Sequence, residues 1–220
     1  MVKLVWDESG KRLYETGTNQ GAIFVQTALG GYETGVAWNG LVAVRQSPDG
    51  AEETAIYADN IKYLAMQSAE NFKGTIEAYT YPDEFGECDG SAEVASGVHV
   101  GQQTRKAFGL VYTTIVGNDT MGNDYGEKLH VIYNAKVAPS ERAYETLNDT
   151  PNAITFSWEF STTPVSIVKE GIKPSAYLTF DSTKMDAGKY KAIKDKLYGT
   201  EALEATLPTP DELITLATTA

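Results

Sequence analysis

The stretch 128–137, KLHVIYNAKV, sets Leu129, Val131, Tyr133, Ala135 and Val137 at alternate positions against Lys128, His130, Ile132, Asn134 and Lys136. A period of two suits one face of a pleated strand and no helix, so this stretch calls for a sheet with one face on a core. The stretch 153–161 repeats the pattern and predicts a central strand, with Ile154, Phe156, Trp158 and Phe160 inward and Thr155, Ser157, Glu159 and Ser161 outward. In 107–116, Phe108, Leu110, Tyr112 and Thr114 share a face, and the opposite face is also fairly apolar. Strands are further expected over 22–28, 34–45, 73–81 and 176–181, the first two joined as a hairpin by Gly30-Gly31, and 117–126 reads as a turn-rich loop.

Helical signals are few. Thr183 and Asp186 have the spacing of a capping box, and Ala187, Tyr190, Ile193 and Leu197 then recur at helical intervals up to Gly199, which predicts a helix over 183–198. Pro82 ends a strand and opens a short helix over 83–88 that Gly90 closes. Residues 1–21 read as a polar arm pinned by Trp6, Leu13 and Tyr14, and 200–220 as a tail whose acidic-apolar end, 211–216, docks or frays. The fold class is mainly β: one domain over 1–220, an antiparallel β-sandwich with one packed α-helix and a long excursion loop.

That excursion, 47–71, opens on the turn signal Ser47-Pro48-Asp49-Gly50 and carries Ile56, Tyr57, Ile61, Tyr63, Leu64 and Met66 around Asp59 and Asn60. A loop needs no such apolar residues for solubility, so something outside the monomer is expected to complete it. In the next strand, Gly74, Ile76, Ala78 and Thr80 oppose Thr75, Glu77, Tyr79 and Tyr81.

Thirty Asp and Glu against 18 Lys and Arg give a net charge of −12, which argues against the usual nucleic-acid binding through basic residues. The single Cys88 excludes an intramolecular disulfide. No apolar run has the length of a membrane span, and Met1-Val2-Lys3 leads into Trp6 without a signal-peptide core, so synthesis is expected in the cytoplasm. His99 and His130 stand far apart outside any metal-ligand spacing, and both read as structural. Asp119, Asn123, Asp124 and Glu127 share one loop, yet their order fails the calcium-loop pattern. Asp83, Glu84, Glu87 and Asp89 are acidic neighbours without the mark of a buried catalytic pair, and no nucleotide or nucleophile motif is present. The expectation is a non-enzyme with no catalytic residues, no metal and no cofactor.

YADNIKYL followed by GTIEAYTYPDEFGECDGS resembles the major tail tube proteins of tailed bacteriophages, especially those with long flexible tails and their prophage relatives. The resemblance runs on through WDESGKRLYETG, GVAWNGL, GQQTRKAFGLVY, GNDTMGNDYGEKLHVIYNAKVAPSE, AITFSWEFSTTPV and LPTPDEL. It implies a β-sandwich that closes into hexameric rings, which stack as a hollow tube for DNA within the virion. The implied partners are other copies of the chain, the tape measure protein, the tail tip and terminator proteins, and DNA passing without specific binding; no membrane is involved. On this resemblance, 47–71 is the inter-ring stacking loop, with Ile56, Tyr57, Ile61, Tyr63 and Leu64 at the contact, and Glu77 is the clearest candidate for an acidic lumen wall. The competing expectation is a monomeric β-sandwich binding module, of carbohydrate-binding or adhesin type, with Tyr79, Tyr81 and Tyr125 as its platform.

Overall fold

The computed structural model describes residues 3–144, 146 and 152–218. In chain order the strands are β1 (Leu13–Val25), β2 (Val36–Trp38), β3 (Leu41–Gln46), β4 (Asp49–Gly50), β5 (Glu53–Ala58), β6 (Ile61–Gln67), β7 (Glu70–Asn71), β8 (Lys73–Ala78), β9 (Ala92–Ala95), β10 (Val98–Val100), β11 (Phe108–Asn118), β12 (Gly122–Val137), β13 (Phe156–Thr162) and β14 (Tyr177–Asp181). The helices are the short α1 (Gly86–Asp89), α2 (Ala187–Tyr198) and α3 (Pro210–Thr218). The chain is mainly β and its sheets are antiparallel, in a sandwich-like arrangement.

The sixteen-residue β12 builds both layers. One edge pairs with β11 along its length, while the other pairs first with β14, through Lys128 to Ile132, and then with β13, through Ala135 to Val137. The switch falls at Asn134, whose φ of 49° is left-handed, in a bulge that opposes Phe108 to Ala135 but Leu110 to Ile132. An extra residue bends a strand and turns the side chains beyond it to the other face. The result is one layer in the order β2-β1-β11-β12-β14 and a second in the order β12-β13-β8-β3.

The single face predicted for 128–137 is therefore split. Leu129, Val131 and Tyr133 lie with Phe24, Phe180 and the helices, whereas Ala135 and Val137 lie between the layers with Ile132. The interlayer core takes Ile23, Phe108, Leu110 and Tyr112 from the first layer and Ile76, Ala78, Trp158 and Phe160 from the second. Phe85 and Cys88, on the turn and α1 after Pro82, plug one end, and Gly90 closes that helix with a φ of 81°. A second core forms where Tyr190, Ile193 and Leu197 of α2 and Leu213 of α3 cover the outer face of the first layer.

Several element boundaries differ from those expected. The second part of the supposed arm is strand: β1 begins at Leu13, and its first half looks loop-like because it is largely exposed and broken by register shifts around Asn19. The strand over 34–45 breaks at Gly40, with β2 on β1 in the first layer and β3 on β8 in the second, so the expected hairpin spans only β1 and β2. The loop over 117–126 shrinks to 119–121 because β12 starts at Gly122. Ile154 is exposed, and β13 starts at Phe156.

Helix α2 starts at Ala187, not at 183, capped by Asp186, whose Oδ1 accepts from the amides of Gly188 (2.9 Å) and Lys189 (3.1 Å). Thr183 is already engaged: its amide and hydroxyl both donate to Asp181. The tail docks as a second helix, α3, with a reciprocal cap in which the Thr209 amide donates to Glu212 (2.9 Å) and the Glu212 amide to Thr209 Oγ1 (3.4 Å). Leu213 is fully buried, and the Tyr133 hydroxyl donates to the Pro208 carbonyl at 3.0 Å.

Candidate assembly surface

The excursion over 47–71 is a β-hairpin rather than a loop. Strands β5 and β6 form a two-stranded sheet of their own, with β4 and β7 pairing beneath them. Asp59 and Asn60, with φ of 51° and 62°, form the two-residue turn between Ala58 and Ile61, the geometry whose twist suits a hairpin. The two polar residues at the centre of the apolar stretch are thus the residues that reverse it.

Register decides which side chains share a face. Ile56 lies opposite Leu64, Thr54 opposite Met66 and Ala58 opposite Ile61, which gathers Ile56, Ile61, Leu64 and Met66 on one face. A shift between Ile56 and Tyr57 leaves Tyr63 as the extra residue and puts Tyr57 across from Lys62 on the other face. Of the five expected contact residues, three are brought together and the two tyrosines stand apart. All five are exposed, from 39% for Ile56 and Leu64 to 70% for Tyr57, and Met66 joins the apolar face at 58%. A lone two-stranded hairpin is marginal in water, and this one keeps four apolar side chains of one face exposed in the subunit.

Both feet of the hairpin rest on one group of rings, of which Tyr112 and His130 are buried and Phe72 and Tyr177 partly so. On the entering side, Gln46 Nε2 donates to the Tyr112 hydroxyl at 2.8 Å; on the leaving side, Phe72 stacks on Tyr177 at 4.8 Å and 9°. Between Tyr112 and Tyr177 lies His130, parallel to Tyr112 at 4.7 Å, with Nδ1 2.6 Å from the Tyr177 hydroxyl. The Phe72 carbonyl accepts from the Thr162 amide and hydroxyl, and Lys73 pairs with Asp49 across the root. Sequence spacing carries no signal of this cluster, because its members come from five separate segments.

Glu77 lies on the outer face of the second layer, where both oxygens accept from Arg45, Nε to Oε1 and Nη2 to Oε2, each at 3.0 Å. That fork holds the Glu77 carboxyl below its usual range. Pairing adds Glu159, Ser161 and Lys136 to the same face, so it is mixed in charge rather than acidic.

The aromatic platform of the competing expectation is not assembled. Tyr79 is exposed, but Tyr81 turns inward against Phe85, Phe156 and Trp158, and Tyr125 is half-buried. The acids of 83–89 are partly paired, Glu87 with Lys106 and Asp89 with Arg142. Burial pushes the Cys88 thiol up to about 12. Asp119 accepts from the Gly10 amide, Asn123 from the Tyr14 hydroxyl and Glu127 from Lys194. Among the described residues, no three His, Cys, Asp or Glu side chains group as a metal site, and no helix is long and apolar enough to cross a membrane. Compared with protein-family models and with curated proteins, the chain matches none.

Proposed function

We propose that this chain is a structural assembly protein: the subunit of a phage tail tube, whose copies close into hexameric rings that stack into a hollow conduit for DNA. The observation that carries the reading is the projecting hairpin, with Ile56, Ile61, Leu64 and Met66 on one uncovered face. Such a face is costly to leave in water, and another copy of the same chain would bury it at every interface of a stack. The resemblance supplies the kind of assembly, and with it a virion location and the tape measure, tip and terminator proteins as neighbours. Ring closure would also remove sheet edges that otherwise invite uncontrolled pairing.

Deleting residues 52–68 removes the hairpin above its root pair. Electron microscopy of the purified full chain should show tubes, and the deletion should give a folded subunit that forms no long tubes. Normal tubes from the deleted chain would refute the role given to the hairpin. A full chain that stays monomeric, even with the tape measure and tip proteins present, would refute the assembly itself.

A further inference from the structure

We propose that Tyr112, His130 and Tyr177 form a proton-sensitive mount, which holds the hairpin root while His130 is neutral and loosens it when His130 takes up a proton. The consequence for assembly rests on the reading that the hairpin joins copies of the chain.

The hydrogen-bond chain fixes which nitrogen carries the proton. The Thr114 hydroxyl donates to Glu15 Oε1 at 2.6 Å, so its oxygen is left to accept from His130 Nε2, 2.8 Å away. Nδ1 is then the bare nitrogen, and it accepts from the Tyr177 hydroxyl. A proton added at Nδ1 turns that nitrogen into a donor facing another donor. Tyr177 must then rotate its hydroxyl and accept, which leaves the phenolic proton in need of a new partner beneath Phe72. Because Phe72 stacks on Tyr177 and Gln46 is bonded to Tyr112, a change at His130 reaches both feet of the hairpin.

The charged groups around the ring oppose one another. Glu15 of β1 approaches Nε2 at 3.6 Å and favours the cation, while Lys128, paired with Glu15, disfavours it. Tyr112 from β11 and Tyr177 from β14 are the neighbouring titratable groups on the remaining sides. Burial outweighs these charges and lowers the His130 pKa from its ordinary value. The fold thus holds the neutral ring; the stability this brings is present above about pH 6.5 and lost as pH falls through the folded value.

The test uses NMR on a full-length chain made assembly-deficient by Leu64→Asp, titrated downward from above about pH 6.5, the ordinary His value, until the His130 ring has taken up its proton. The amides of Gln46, Phe72 and the hairpin strands should move with the same midpoint as the His130 ring. That shared transition should vanish in His130→Gln. Hairpin amides that stay still while His130 titrates, or that still move in His130→Gln, overturn the mount. Should His130→Gln not fold, Glu15→Gln removes the favourable carboxylate and should move the shared midpoint to lower pH; an unmoved midpoint counts against the proposal. Sedimentation of the wild-type chain at pH values on either side of the His130 midpoint read by NMR separates the two readings. Assembly that weakens at the lower pH supports the mount, and assembly equal at both overturns its control of assembly. Absence of assembly at both overturns the assembly reading, while NMR still decides the mount.

Discussion

Trp158 of the second layer meets Trp38 of the first edge to face, with ring centroids 5.8 Å apart and planes inclined by 69°. Phe85 closes on both, 4.6 Å from Trp38 and 5.0 Å from Trp158, and the Trp38 indole N–H donates to the Thr80 carbonyl at 2.9 Å. The plug after Pro82 and the two layers therefore share one aromatic junction. Trp158→Ala empties it at a site only 1% exposed, and should cost about 3–5 kcal/mol in urea unfolding. A loss below about 1 kcal/mol would mean that the layers do not depend on this junction.

The bend of β12 rests on Asn134. Its Oδ1 accepts from Gln26 Nε2 (2.8 Å) and the Tyr32 hydroxyl (3.0 Å), and its amide donates to the same Tyr32 oxygen (3.1 Å). Asn134→Ala loses the side-chain bonds and also strains a left-handed backbone, so about 2–3 kcal/mol is expected. Asn134→Gly loses the bonds without the strain and should be milder by about 1 kcal/mol. Equal unfolding midpoints for the two variants would show that the left-handed backbone at 134 is not a source of strain.

The bulge also marks how far the fold is legible in the sequence. Alternation locates β8, β11, β13 and β14 within a few residues, since each keeps one face on a core along most of its length. It locates β12 as well, but cannot show that Leu129 and Val137 face different cores, because a bulge leaves the apolar alternation intact in the order of residues. Polar exposed strand, as in the first half of β1, carries no periodic signal at all. The hairpin is visible as apolar residues without a helix or single-strand pattern, and Asp59-Asn60 is the turn signal that resolves it. The cap Thr209-x-x-Glu212 is equally legible as the start of α3, although two prolines obscure it.

The hairpin face separates assembly from folding. Ile56 and Leu64 are opposed and 39% exposed each, so Ile56→Ser with Leu64→Ser should change subunit stability by no more than about 0.5 kcal/mol per site. Sedimentation and electron microscopy should nevertheless show that long tubes are lost. Tubes of normal length from the double variant would place the inter-subunit contact elsewhere.

In a tube built from this chain, DNA would meet a wall whose charges decide whether it is held. A net charge of −12 per chain suits a conduit that does not hold phosphates, but the Glu77 face carries Arg45 and Lys136 beside Glu77 and Glu159. Its neutrality toward DNA then depends on pairing: Arg45 is occupied by both Glu77 oxygens. Should this face line the tube, Glu77→Lys both adds a cation and frees Arg45, and the change repeats around every ring. Screening confines such effects to about 8 Å, so residues on the wall itself decide them. Assembled Glu77→Lys tubes should therefore retain DNA at about 50 mM salt and release it by about 200 mM, the signature of phosphate contacts that expel counterions. Glu77→Gln should do so more weakly, since it frees Arg45 without adding a charge. Variant tubes that form normally and hold no more DNA than the wild type would place Glu77 outside the lumen.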